Sequence, residues 1–382
     1  MSFLTRAFPL LRSSQTTFSF PKSTPILNSY LPKIVSSSTT NTSSRSISSL
    51  KQSNTLPTNN RPFSSTKNDY KVLITGGCGQ LGLAVADNLR ASLGKNNVII
   101  TDIKAPSESV LSSGPFEHLD VLDKDGIKRI ATTHNIDCII HFSVVLSALG
   151  EVNPKLALDV NLNGFQNILD ISKEMNLRLM CPSTMGVFGP TTPQNDTPDL
   201  TIMRPNTIYG ITKVHMELMG EYYAQKYNLD FRSIRYPGII SASLPGGGTT
   251  DYAVDIFHAA KRENKFTCFL EKDTRLAMMY LDDCIDATVK LLFHPSEQLS
   301  QNVYNISSIS FTPSELAAEI KSQFSNDFQI TYKPDYRQKI AETWPFSLNS
   351  DNAIRDWGFN PKITTVKDLV STMFTQLSLN NY

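Results

Sequence analysis

From Tyr70 onward, apolar positions fall into short β-branched runs separated by longer stretches of helical period. The runs Lys71–Thr75, Asn97–Asp102, Phe116–Val121, Asp137–Ser143, Arg178–Thr184 and Asp230–Pro237 predict strands. Between them, Gln80–Ser92, Pro154–Asn176 and Ile208–Asn228 repeat apolar residues at helical spacing. Strand and helix in alternation imply a parallel sheet with helices on both faces, and nearly continuous apolar strands suit burial on both sides. The predicted class is therefore α/β, a doubly wound parallel sheet of the Rossmann type over residues 69–240. After Pro237 the rhythm breaks. A turn, Pro245-Gly246-Gly247-Gly248, precedes mixed short elements, and Phe311-Thr312-Pro313-Ser314-Glu315 reads as a capped helix start. Residues 241–382 are expected to form a smaller substrate-binding region with segments returning to the sheet.

Charge changes the picture at the N-terminus. Residues 1–68 hold eight Lys or Arg, no Asp or Glu, and 27 Ser or Thr, with no sustained apolar period. Such a segment buries too little apolar surface to offset its ordering entropy. A basic, Ser-rich, acid-free leader reads as a mitochondrial transit peptide. Arg61-Pro62-Phe63-Ser64 resembles a presequence processing site, which implies cleavage after Phe63; the expected location is the matrix. The remaining chain is mildly acidic, which argues against a nucleic-acid partner. No apolar run reaches the length of a membrane span. The five cysteines are scattered and the six histidines lack ligand spacing, so no metal is expected.

The candidate chemistry begins at Val72-Leu73-Ile74-Thr75-Gly76-Gly77-Cys78-Gly79-Gln80-Leu81-Gly82, a strand entering a glycine turn and then a helix. Glycines there permit a tight turn and close approach of a pyrophosphate, which the helix N-terminus attracts. Asp102 closes the next strand, 20 residues after Gly82. A carboxylate at that point accepts hydrogen bonds from the adenosine ribose and repels a 2′-phosphate, which selects NAD over NADP.

The Gly-x-x-Gly-x-x-Gly form resembles extended short-chain dehydrogenases, the NAD-dependent epimerase/dehydratase group. Leu119-Asp120-Val121, His141-Phe142-Ser143-Val144 and Asn161-x-x-Gly164-x-x-Asn167 resemble further segments of that group in the same order. The resemblance implies NAD contacts from the loop residues Gly76, Gly77, Cys78, Gly79, Gln80 and Leu81. It implies others from Asp102, Ile103 and Lys104, from Asp120 and Val121, and from Ile239 beyond the strand Arg235-Tyr236-Pro237.

Tyr209 and Lys213 lie four residues apart, on one helix face. A free tyrosine is too weakly acidic to be an efficient base near pH 7. A neighbouring ammonium and a positive nicotinamide should lower its pKa, so that Tyr209 takes a hydroxyl proton as hydride leaves the adjacent carbon. Both residues are also expected to contact the cofactor. Spacing to Gly189 matches Thr184 to the group's substrate-orienting hydroxyl, with Ser183 its neighbour on the opposite strand face.

Within the group, the chain is similar to the short-chain family of L-threonine 3-dehydrogenases. The similarity is carried by Pro245-Gly246-Gly247-Gly248-Thr249-Thr250-Asp251-Tyr252-Ala253, Val145-Leu146-Ser147-Ala148, Met279-Tyr280-x-Asp282-Asp283 and Thr343-Trp344-Pro345. It implies oxidation of L-threonine to 2-amino-3-oxobutanoate, with Ser147, Thr184, Tyr209, Thr249 and Trp344 around the substrate. It also implies supply of that product to glycine C-acetyltransferase and a homodimer built on Pro154–Asn176 and Ile208–Asn228. The amides of the Gly-rich turn are expected to help hold the substrate carboxylate. A nucleotide-sugar epimerase or dehydratase on the same scaffold is the alternative activity. A non-catalytic NAD sensor would not need Tyr209 and Lys213.

Overall fold

The computed structural model describes residues 70–379; the expected presequence, its cleavage site and the last three residues lie outside this range. Strands β1 (Val72–Thr75), β2 (Val98–Asp102), β3 (Phe116–His118), β4 (Cys138–His141), β5 (Arg178–Met180), β6 (Ser183–Thr184) and β7 (Phe231–Tyr236) form most of one parallel sheet. Its order is β11-β7-β5-β4-β1-β2-β3, with β6 also paired to β7 and β11 (Val303–Asn305) arriving from the C-terminal half. Helices α1 (Gln80–Leu93), α2 (Glu108–Ser113), α3 (Lys124–Thr133), α4 (Ser147–Val152), α5 (Pro154–Leu158), α6 (Phe165–Glu174) and α7 (Ile208–Tyr227) connect these strands.

Period-two alternation assigns the two sheet faces. Val72, Ile74, Val98, Ile100 and Ile140 pack with Val85 and Leu89 of α1, whereas Leu73, Ile99 and Ile139 pack with Ile127 of α3 and Phe165 of α6. Full burial of one such side chain is worth about 1.5–3 kcal/mol, so both faces contribute to holding the sheet.

Beyond Pro237 a three-stranded sheet joins β8 (Gly238–Ile240), β10 (Leu276–Tyr280) and β12 (Ile309–Phe311), while β9 (Lys265–Cys268) pairs with β13 (Gln329–Tyr332). Helices α8 (Tyr252–Glu263), α9 (Leu281–Phe293), α10 (Pro313–Gln323), α11 (Tyr336–Ala341), α12 (Asp351–Trp357) and α13 (Val366–Leu379) complete the chain. The expected capped start of α10 is present: Thr312 accepts from the Glu315 amide and Glu315 accepts from the Thr312 amide. Tyr252, Phe257, Met278, Ile320, Met373 and Trp344 belong to the core of this half. Among the described residues, no helix is long and apolar enough to cross a membrane, and no cluster of His, Cys, Asp or Glu could hold a metal.

Three predicted elements differ in detail. The run Arg178–Thr184 is two strands, because Pro182 has no N–H to continue the ladder. The run Phe116–Val121 stops at His118; Asp120 then turns the chain by accepting from the Leu122 amide through its carboxylate. Pro154–Asn176 is α5 and α6 joined by a wide π turn over Asp159–Gly164, and that turn carries Asn161 into the interior.

Candidate active site

The cofactor end of the site forms where β1 becomes α1. Gly76 has a φ of +67°, and a Cβ there would lie 2.6 Å from the Ser143 nitrogen beyond β4. A Cβ on Gly82 would meet the Gly76 carbonyl oxygen at 2.7 Å, so the helix seats directly on the turn. Gly79 caps α1 without any side-chain hydrogen bond, and no acidic residue occupies the first turn. The uncapped N-terminus of α1 therefore turns its positive end toward the loop, as a pyrophosphate requires. Cys78 and Leu81 are half-buried while Gly79 and Gln80 are exposed, and the Gln80 amide donates to Ser241 Oγ at 2.5 Å.

Asp102, 8% exposed, accepts from the backbone amides of Cys78 at 3.0 Å and Lys104 at 2.9 Å. Two donors fix the carboxylate, and each oxygen keeps acceptor capacity for a ribose hydroxyl. Ile103 and Lys104 follow at the surface, exposed. Val121 is buried and Asp120 exposed on the far side of the strand ends. Asn167 donates to the Val121 carbonyl at 3.0 Å, and a Cβ on Gly164 would meet the Val121 side chain at 2.7 Å. These protein groups fit an NAD dinucleotide along its length. Half-buried Ile239 lies in β8.

The residues expected to react lie at β6 and α7. Thr184 Oγ1 accepts from the Gly186 amide at 3.1 Å, and the Thr184 side chain favours the Tyr209 phenolate. Ser183 points the other way and donates to Glu217. Gly210 brings α7 against this strand end, since a Cβ there would lie 2.3 Å from the Gly186 carbonyl oxygen. Lys213 Nζ donates to the Pro182 carbonyl at 2.6 Å and sits 5.9 Å from the Tyr209 ring centroid. Burial lowers Lys213 to about 8. With protein groups alone, burial pushes the Tyr209 phenol up to about 12, and Lys213 is not among the groups that shift it. The ammonium is aimed at the Pro182 carbonyl inside a desolvating site.

Residues 72–307 match the NAD dependent epimerase/dehydratase family. The chain belongs to that family. It is an enzyme, and NAD is its cofactor. A family relative, mitochondrial L-threonine 3-dehydrogenase of Bos taurus, is 52% identical over 311 residues, spanning 81% of this chain and 83% of the bovine protein. The crystal structure of L-threonine dehydrogenase from Phytophthora infestans is 48% identical and superposes with a TM-score of 0.78, covering 81% of this chain and 99% of that one. A monomeric L-threonine 3-dehydrogenase from a metagenome is 42% identical with a TM-score of 0.77, covering 81% and 100% of the two chains.

Within this family scaffold the remaining predicted residues sit as follows. Trp344, 6% exposed, has its ring edge 3.6 Å from the position of a Cβ on Gly186, beside Thr184. Ser147 opens α4, which packs against α7. Thr249 is buried next to Thr250, whose side chain packs on Gly238 of β8. The Gly-rich turn departs from expectation. Its Gly247 and Gly248 amides donate to the Asp251 carboxylate, so the loop closes on its own acid rather than presenting those amides to a substrate carboxylate.

Four side chains around these elements had no role assigned from sequence. Asn161 accepts from the Val145 amide at 2.8 Å and donates to Thr212 Oγ1 at 3.0 Å, tying the loop before Ser147 to α7. Its place in the Asn-x-x-Gly-x-x-Asn pattern was the available signal. Glu151 accepts from the Ile208 amide at 2.8 Å and so caps α7 one residue before Tyr209. His141 shares a 2.8 Å hydrogen bond with Thr75 Oγ1, and burial holds it neutral, at about 3. Arg235 grips Glu217 from β7.

Proposed function

We propose that the site oxidises the β-hydroxyl of L-threonine, giving 2-amino-3-oxobutanoate and NADH. The observation that carries this reading is the placement of Thr184 at a strand end against Tyr209 of α7 and beside Trp344, in a chain this similar to named threonine dehydrogenases. NAD, when bound, supplies the hydride acceptor and a positive charge. Thr184 then orients the substrate hydroxyl, and Tyr209 Oη takes its proton. Ser147, Thr249 and Trp344 are each no more than 8% exposed, which suits a substrate of a few heavy atoms better than a nucleotide sugar.

Threonine should be favoured over serine because its methyl fills an apolar niche, a difference of about 10–200-fold in kcat/KM. Allo-threonine keeps the methyl but inverts the β-carbon, so its hydrogen points away from the nicotinamide and it should react poorly. NADH absorbance with the three amino acids and a panel of nucleotide sugars checks this. Equal rates for all three amino acids defeat the proposed pocket, and turnover of a nucleotide sugar alone moves the assignment to the epimerase reading.

Asp102→Ala is expected to weaken NAD binding and narrow the preference over NADP, since the ribose acceptor is lost. Titration with both cofactors reads this directly, and unchanged selectivity removes Asp102 from the ribose contact.

The finer biology follows the same reading. The acid-free leader and the mitochondrial designation of the bovine relative support import into the matrix. Apolar exposure at Leu149, Val152, Leu156, Ile211, Leu218 and Tyr222 supports a homodimer across α4, α5 and α7, although the metagenomic relative is named monomeric. The unstable β-keto acid product suits transfer to glycine C-acetyltransferase.

A further inference from the structure

Behind the reacting residues lies a buried ion pair that no step above uses. Glu217 is 1% exposed and stands one turn after Lys213 on α7. Arg235, at the end of β7, meets it in a two-pronged contact: Nε donates to Oε1 and Nη2 to Oε2, each at 2.9 Å. Ser183 of β6 donates to the same Oε1. The remaining Arg235 nitrogen, Nη1, donates to the Asp199 carbonyl at 2.7 Å and to Asn305 Oδ1 at 3.2 Å. One carboxylate thus joins α7, β6 and β7, the three elements whose ends carry Lys213, Thr184 and the strand leading to Ile239.

Burying such a pair is expensive, and well-packed apolar residues often serve stability equally well. A rigid link between elements is the gain that apolar packing lacks. Resting on the dehydrogenase reading, we propose that Glu217 is a positioning residue: clamped by Arg235, it fixes β6 through Ser183 and sets the field at Lys213. The second role has a sign. The groups facing Lys213 are Tyr209 and Glu217 from α7, Cys181 after β5, and His141 of β4. Burial opposes the ammonium, whereas Cys181 and Glu217 favour it. Removing the Glu217 charge should therefore make Lys213 lose its proton at lower pH.

The test is Glu217→Gln, assayed on whichever substrate of the panel wild type turns over. Turnover should fall about 10–100-fold, the scale of a small misplacement of reacting groups. The alkaline limb of the kcat/KM profile should move to lower pH. Ser183→Ala, which breaks only the link to β6, should lower kcat and leave that limb in place. If the Gln variant does not fold because Arg235 is left unpaired, the double variant Glu217→Met/Arg235→Met removes both charges and should restore thermal stability without restoring kcat or the limb. A purely structural pair predicts that turnover recovers with stability and that the limb never moves; that result overturns the proposal. Absence of threonine turnover by wild type counts against the substrate reading alone.

Discussion

Tyr209→Phe is expected to lower turnover by about 10²–10⁴-fold while NAD affinity changes little, because general base catalysis is lost and the ring is kept. Phe preserves the buried shape, and Thr184 still accepts from the Gly186 amide, so the strand end has no reason to move. Only the proton acceptor disappears. The pH dependence makes the test sharper. Protein groups alone hold the phenol at about 12. Wild-type kcat/KM should accordingly rise with pH below the range, near 8, in which Lys213 loses its proton, and the variant should lose that rise. NADH absorbance across pH, with a binding titration of the cofactor, reads both quantities. A variant that keeps near wild-type turnover takes Tyr209 out of the mechanism; one that loses cofactor binding in proportion to rate shows a folding defect instead.

What could be read in advance divides by range along the chain. Gly76, Gly79, Gly82 and Asp102 were legible because strand, turn and helix place them by local spacing, and Asp102 sits at the end of the strand paired with β1. Leu73 and Ile74, adjacent in β1, face opposite sides of the sheet, as the period of two along a strand requires. The distinction between Ser183 and Thr184 also follows from alternation, with Ser183 spent on Glu217. Spacing misled where direction mattered. Lys213 shares a helix face with Tyr209, yet its ammonium is drawn to the Pro182 carbonyl, a partner set by the break between β5 and β6. The Gly-rich turn looked open to a ligand, although Asp251, three residues after Gly248, was a local acceptor for its amides. The Glu217–Arg235 pair was illegible for a different reason. Its partners lie on separate elements, and only the packing of α7 on β7 brings them together.

Gly76→Ala should be the most damaging single change at the cofactor end. Two costs coincide there. A φ of +67° is left-handed, which a residue with a Cβ tolerates at about 1–2 kcal/mol. The added methyl would also lie 2.6 Å from the Ser143 nitrogen and 2.7 Å from the Phe142 carbonyl carbon, both backbone atoms of the segment after β4. No side chain can swing aside, so overpacking adds about 1–3 kcal/mol. Together these amount to about 2–5 kcal/mol, a large part of a typical domain's stability. The folded protein can relieve the strain only by parting the glycine turn from the β4 end, which are the two segments that would flank the dinucleotide. Each 1.4 kcal/mol of that relief appearing in binding weakens NAD affinity about tenfold. Gly246→Ala is the matched control: no atom lies within 4 Å of its Cβ position and its φ is not left-handed. Its stability should stay within about 0.5 kcal/mol of wild type. Denaturant melts and NAD titrations of the two variants decide the matter. Equal behaviour would mean that the close approach at Gly76 does not shape the cofactor site.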